Sequence, residues 1–316
     1  LGLRPDIIVC RTEYPLDDSI KDKISLFCNV PQENVLQNMD VEVLYELPLV
    51  MEKEKLAHAT CKALNIPCPE PDLSDWVEMV ENWKNLTGEI NIALVGKYTA
   101  LHDAYISVVE ALKAAGAANR TNVNIEWIDS EEVTKESAGE LFKNVSGILV
   151  PGGFGNRGVE GKINAIEYAR ENNIPYLGLC LGMQLAIVEF AKNVLGFKDA
   201  QSIEFNPDTM HPVISLMPDQ NGVTNIGGTL RLGAYDCFLE KDSIAYKLYK
   251  TEQISERHRH RYEVNNDFRD KLTANGLMIS GLSPDGRIVE MIELPSHPFF
   301  VATQAHPEFK SRPNRP

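Results

Sequence analysis

From Glu89 onward, short apolar runs alternate with amphipathic stretches, and this alternation constrains the fold more than any other feature of the chain. Ile90–Val95 is an apolar run ending at Gly96, the pattern of a strand buried on both faces. Tyr105, Val108, Val109 and Leu112 then recur at helical spacing, with Gly116 towards the C-terminal end. Val123–Ile128 reads as the next strand, and Gly147–Val150 as another that runs into Pro151-Gly-Gly. Val159–Glu171 reads as a helix, Pro175–Leu179 as a strand and Met183–Val194 as a helix. Such a βαβα order predicts an α/β fold, a parallel sheet with helices on both faces. Functional groups then gather at the carboxyl ends of the strands. After Asn206 the segments 211–217, 227–234, 277–282, 287–294 and 299–304 are shorter, with turns between them such as Asp219–Gly222 and Ser283–Gly286. They read as strands that extend the sheet or add a small antiparallel one.

Pro67, Pro69 and Pro71 stand at alternate positions, favour extended backbone and predict a linker. Ser74 is placed to cap a following helix whose Trp76, Met79, Val80 and Trp83 pack against a domain. A length of 316 residues suggests about two domains. With 31 basic and 45 acidic residues the net charge is −14, which argues against nucleic acid or an anionic membrane as partner. No apolar run approaches the ~18 residues of a membrane span. The six cysteines form no CxxC pair, so a reduced, cytoplasmic protein with no metal site is expected. The first residues, Leu-Gly-Leu-Arg-Pro, show neither an initiator Met nor a signal-peptide layout, and a trimmed chain is expected.

Chemistry concentrates in three motifs. Gly178-Leu-Cys180-Leu-Gly182 lies between a strand and a helix and has the form of a nucleophile elbow. The positive end of the following helix favours a thiolate there. Gln304-Ala-His306-Pro-Glu308 follows the last strand. In extended backbone, residues two apart point to one side, so Glu308 can orient His306 as the base. Pro151-Gly-Gly-Phe-Gly155 offers unhindered backbone N–H groups, and the N–H groups of Gly153 and Leu181 form the expected oxyanion hole.

Together and in this order, these motifs resemble the class I glutamine amidotransferases over about Glu89–Lys310. The resemblance implies a flavodoxin-like, mostly parallel central sheet with helices on both faces plus a small antiparallel sheet. It also implies hydrolysis of the glutamine amide through a thioester on Cys180. Further segments resemble the CTP synthase family: Gly153–Gly161, Gly227–Gly233, Glu256–Asn265 and, near the start, Ser25–Val30. By itself Glu256–Asn265 reads as a solvated charged strand, and a metal site at His258 and His260 is a poorer reading.

On this resemblance residues 1–66 are the end of a P-loop-type α/β amidoligase (synthetase) domain, 67–89 a linker and 90–316 the amidotransferase domain. Gly153, Leu181, Gly182, Met183, Gln184, Glu204 and Arg261 fall where the family binds glutamine. Arg261 can pair with the α-carboxylate and Glu204 with the α-ammonium. Phe154 and Arg157 fall where the activator GTP is expected, with Lys97–Tyr105 as a lid. Lys23 and Phe27 fall at the UTP or feedback-CTP position, and Asp40 and Val41 near the adenine of ATP. The complete enzyme uses ATP and Mg²⁺ to aminate UTP and forms a homotetramer. Its phosphate-binding loop and Mg²⁺ carboxylates are absent from this sequence, so this segment, with no bound cofactor, is expected to supply ammonia but not to aminate UTP.

Three other readings stay open on the residues. One is an amidotransferase subunit of another pathway, against which Ser25–Val30 and Arg257–Asn265 count. Another is a non-catalytic regulatory module of the same fold, against which the presence of Cys180, His306 and Glu308 counts. A γ-glutamyl hydrolase would keep a similar Cys–His pair.

Overall fold

The computed structural model describes residues 2, 4–216 and 231–316, which fall into two compact units. The first takes in the chain up to Gly88 together with Ala114–Thr121 and Pro313–Pro316. It opens as a βαβ unit, with β1 (Ile8–Thr12) pairing in parallel with β2 (Val35–Met39) across α1 (Asp18–Cys28). The Asp17 carboxylate caps α1 by accepting the Ile20 N–H at 2.9 Å. Three helices follow: α2 (Leu47–Lys53), α3 (Leu56–Leu64) and α4 (Ser74–Lys84). Pro67, Pro69 and Pro71 lie outside helices and strands.

Ser74 does not cap α4 but is its first residue. Its N–H (3.0 Å) and hydroxyl (2.6 Å) both donate to the Asp72 carboxylate, a stronger acceptor than a serine hydroxyl. The tryptophans of α4 pack as expected. Trp76 Nε1 donates to the Tyr45 carbonyl at 2.7 Å, and the Trp83 ring lies 5.3 Å from that of Tyr45.

The second unit, Glu89–Lys113 and Asn122–Arg312, carries the alternating segments. They are β3 (Gly88–Gly96), α5 (Ile106–Ala118), β4 (Thr121–Asp129), α6 (Ala138–Leu141), β5 (Gly147–Val150), α7 (Val159–Glu171), β6 (Tyr176–Leu179) and α8 (Leu181–Asn193). Then come β7 (Gln201–Ser202), β8 (Pro212–Ser215), β9 (Arg231–Leu239), α9 (Ile244–Tyr249), β10 (Gln253–His260) and β11 (Glu263–Val264). The unit closes with α10 (Arg269–Ala274), β12 (Met278–Leu282), β13 (Val289–Glu293) and β14 (Phe300–Thr303). Among the described residues the main sheet runs β10-β9-β12-β13-β14-β6-β5-β3-β4. Its centre, β14-β6-β5-β3, is parallel, and β13, β12, β9 and β10 extend it antiparallel. A separate three-stranded sheet, β11-β8-β7, joins one antiparallel and one parallel pair. The turn Asp219–Gly222 and residues Gly227–Leu230 lie outside the described residues.

Strand periodicity divides the core. Ala93, Val95, Ile148, Val150, Phe300 and Ala302 face the side covered by α7 and α8. The alternate residues Leu94 and Leu149 face α5, and Val301 faces α9. Helices therefore cover both faces, as the alternation predicts.

Candidate active site

Because β5, β6 and β14 are parallel neighbours, the segments that leave them emerge at one edge of the sheet. Those segments are Pro151–Gly155, Cys180 and Gln304–Glu308, so the three motifs converge there. Cys180 adopts φ 52°, ψ −101°, a strained conformation for a residue with a side chain. Packing enforces it. The Cys180 N–H donates to the Thr303 carbonyl of β14 at 2.7 Å, and its carbonyl accepts from the N–H groups of Met183 and Gln184 at 3.1 and 3.2 Å. The flanking glycines allow the close approach. A Cβ on Gly178 would lie 2.7 Å from Tyr176 Oη, and one on Gly182 would lie 2.2 Å from the Val150 carbonyl oxygen. The thiol sits at the N-terminus of α8, where orphan N–H groups and the helix dipole favour negative charge.

His306 Nδ1 donates to Glu308 Oε1 at 2.8 Å, which directs Nε2 away from the carboxylate. Glu308 reaches His306 differently from the expectation. Pro307–Phe309 is a 3₁₀ turn, not extended strand, and it folds the carboxylate back onto the ring. Both Cys180 Cβ and His306 Nε2 would lie 3.5 Å from a Cβ built on Gly152, so thiol and imidazole flank the same glycine. Burial opposes a charge on His306, but its interactions with Cys180 and with Glu308 outweigh it and raise the imidazole to about 10. The His306 resonances are therefore expected to titrate near pH 10 in an NMR titration, and a midpoint near 6.5 would contradict the geometry. The unfolded chain releases this proton near 6.5 and the folded one near 10. Its contribution to stability is thus full below about pH 6.5 and lost as the pH rises towards 10.

Beside the thiol lies a cavity of about 290 Å³ lined by Gly153, Phe154, Leu181, Gln184, Glu204 and Arg261, with Arg259–Tyr262 on one wall. It is slightly below the ~300–1,000 Å³ of pockets for drug-sized ligands, a size for an amino acid. Leu181 Cδ2 would lie 3.5 Å from a Cβ on Gly153, so the two expected oxyanion donors belong to adjacent residues. Burial raises the Glu204 carboxyl above its ordinary range, against the Gly155 N–H that donates to it at 3.4 Å. Gly182 and Met183 are not among the cavity walls, and the Met183 side chain belongs to the core under α8.

The Arg157 guanidinium and Lys97 ammonium lie 5.4 and 5.3 Å from the Tyr98 ring centroid. Arg157 donates to the Lys97 carbonyl, Lys97 donates to that of Phe154, and Arg259 lies 5.6 Å from the Phe154 ring. In the first unit Lys23 and Phe27 stand one turn apart on α1, and Phe27 is 85% exposed. Asp40 and Val41 follow the carboxyl end of β2, and Asp40 accepts from Arg11 at 3.0 Å.

Buried groups in and around the site extend the set read from sequence. Gln304 contacts the sulfur at 3.6 Å. Lys162, 1% exposed, brings Nζ to 3.6 Å from where a Gly153 Cβ would lie. Burial, aided by Lys97 and Arg157, pushes that amine down to about 8. His258 and His260 are buried along β10 while Arg257 and Arg259 are exposed, so this strand is not solvated on both faces. The two imidazoles bond each other at 2.9 Å, and burial lowers His258 to about 3. Among the described residues no three His, Cys, Asp or Glu side chains are grouped to hold a metal ion, and no helix is long and apolar enough to cross a membrane.

The family model "Glutamine amidotransferase class-I" matches residues 100–316, and "CTP synthase N-terminus" matches residues 1–66. CTP synthases of Caldanaerobacter subterraneus subsp. tengcongensis and Clostridium beijerinckii are 58% and 56% identical over all 316 residues. The chain spans 59% of the length of each. The glutaminase domain of Trypanosoma brucei CTPS, solved with bound acivicin, superposes with a TM-score of 0.68 and 43% identity, over 72% of this chain and 89% of that one. With the elbow, the histidine–carboxylate pair and these matches in place, the chain belongs to the CTP synthase family and carries its class I glutamine amidotransferase domain.

Proposed function

We propose that this chain hydrolyses the side-chain amide of L-glutamine and supplies the ammonia for ATP-dependent amination of UTP to CTP in pyrimidine biosynthesis. The observation that carries the reading is the Cys180 elbow set against the His306–Glu308 pair at the mouth of an amino-acid-sized cavity. The Cys180 thiolate adds to the amide carbon, and the oxyanion develops against the N–H groups of Gly153 and Leu181. The His306 imidazolium gives its proton to the departing ammonia, leaving a γ-glutamyl thioester. His306 then takes a proton from water, which adds to the thioester carbon, and glutamate leaves as the C–S bond breaks.

Arg261 and Glu204 hold the α-carboxylate and α-ammonium, a reading supported by their shared cavity wall. The aromatic and cationic cluster of Lys97, Tyr98, Phe154 and Arg157 supports GTP as activator. Lys23 and Phe27 on the exposed face of α1 support the UTP or CTP position. Asp40 and Val41 at a parallel-strand end support an ATP contact. Amination itself, with Mg²⁺ and ATP, is assigned to the part of the complete protein that this chain does not span. The complete protein is proposed to act in the cytoplasm as a homotetramer.

The test is glutamate release from L-glutamine, with and without GTP. Release that rises with GTP supports the reading. No release, even after the rest of the synthetase domain is supplied, overturns it. Arg261→Ala is expected to raise KM by about tenfold or more with a smaller change in kcat, because a charge-assisted pair worth ~1.5–3 kcal/mol is lost. An unchanged KM would remove Arg261 from the substrate site. Glu308→Ala is expected to cost less than His306→Ala, since it removes orientation and leaves the base.

A further inference from the structure

Gln304 lies between β14 and His306, is 0% exposed, and has its backbone N–H fixed on the Glu290 carbonyl at 2.8 Å. Its side chain touches the nucleophile, with Nε2 3.6 Å from Cys180 Sγ. The orientation of a buried amide is ambiguous unless its partners decide it, and here they do. Gln184 Nε2 faces the Tyr262 carbonyl at 3.0 Å. A backbone carbonyl can only accept, so this end of Gln184 is its NH₂. The second hydrogen of that NH₂ points at Gln304, 3.1 Å away, and requires an acceptor there, which is Gln304 Oε1. The NH₂ of Gln304 is thereby turned to the sulfur, and it can only donate.

Sγ also contacts the Arg259 carbonyl at 3.9 Å, which suits a thiol proton and repels a thiolate. Gln304 supplies the opposite preference. We propose that Gln304 is a catalytic residue: its amide, locked by Gln184, donates to Cys180 Sγ and stabilises the thiolate both as nucleophile and as leaving group. In the first half-reaction the S–C bond forms as the C–N bond breaks, and the sulfur loses its charge. In the second the C–S bond breaks and the electron pair returns to sulfur, where the Gln304 N–H receives it. Gln184 also lines the substrate cavity, so the same hydrogen bonds link the substrate site to the state of the sulfur.

The inference rests on Cys180 as the nucleophile, and the test separates the two claims. The probe is iodoacetamide, with alkylation of the Cys180 peptide followed by mass spectrometry across pH in the full chain, without glutamine turnover. Loss of a hydrogen bond to a charged sulfur moves its alkylation midpoint by about one to two pH units. Gln304→Leu is expected to move the alkylation midpoint up by about one unit and to lower kcat about tenfold, with KM changed less than about threefold. Gln304→Glu, which keeps the shape and turns an acceptor to the sulfur, moves it further. Gln184→Leu, which frees the Gln304 amide to rotate, moves it in the same direction by less. Should Gln304→Leu not fold, Gln304→Glu and Gln184→Leu decide. Folded variants that keep the wild-type midpoint overturn the role of Gln304, whatever their activity. A wild-type Cys180 that iodoacetamide modifies no faster than the other cysteines, and no more slowly after His306→Ala, overturns the reading of Cys180 as nucleophile instead.

Discussion

Cys180→Ala is expected to lower glutamine hydrolysis by at least about 10⁴-fold while the chain stays folded. The size follows from the chemistry, because without a nucleophile the acyl-enzyme route closes and only oriented binding and the oxyanion donors remain. Stability should change little. Alanine shares the Cβ that makes φ 52° costly, so the strain is common to both residues, and the 2.7 Å hydrogen bond from the backbone of residue 180 to Thr303 persists. Loss of the thiol removes a raising interaction on His306, so its imidazole titrates lower in the variant. Glutamate release and thermal unfolding of the two proteins check this together. Residual turnover within about tenfold of wild type would exclude Cys180 as the nucleophile.

Gly152→Ala should give the next largest loss, although residue 152 carries no reactive group. The added methyl would lie 2.7 Å from His306 Cε1, closer than van der Waals contact permits. The imidazole cannot retreat freely, because Nδ1 is held by Glu308 and its backbone N–H by the Arg257 carbonyl, each near 2.8 Å (2.8 and 2.7 Å). The ring must tilt, and the proton donor moves relative to the sulfur. Misplacement of a reacting group by ~1 Å costs about 10²-fold. We expect kcat to fall by about 10²–10³-fold with KM changed less than about threefold, because the cavity walls that hold the amino acid are untouched. Wild-type kcat in a folded Gly152→Ala protein would mean that His306 does not work from this position.

Much of the site was legible because its chemistry needs short motifs at strand ends. The glycines around Cys180 mark backbone that must pass close to Tyr176 and Val150, and apolar runs of period two or 3.6 mark the strands and helices below. What escaped has physical reasons. Glu256–Asn265 looks uniformly charged, yet alternate residues of β10 face opposite ways, so His258 and His260 are buried while the arginines are not. Ser74 met a cap rule but lost to Asp72, whose carboxylate is the better acceptor. Glu308 was expected along a strand, but Pro307 starts a 3₁₀ turn that brings the carboxylate to the ring by another path. Gln304 and Lys162 gave no signal, because their importance lies in which distant residues the fold sets beside them: Cys180 and Gln184 for one, Gly153 for the other. The short strands β7 and β11, of two residues each, are too brief for any periodicity to reveal.

The central claim is a thioester on Cys180, and acid quenching during turnover with L-glutamine tests it most directly. Mass spectrometry of the digested protein should find a γ-glutamyl adduct on the Cys180 peptide, present in wild type and absent in Cys180→Ala. Steady glutamate release with no adduct on that peptide, or with the adduct on another cysteine, would contradict the account.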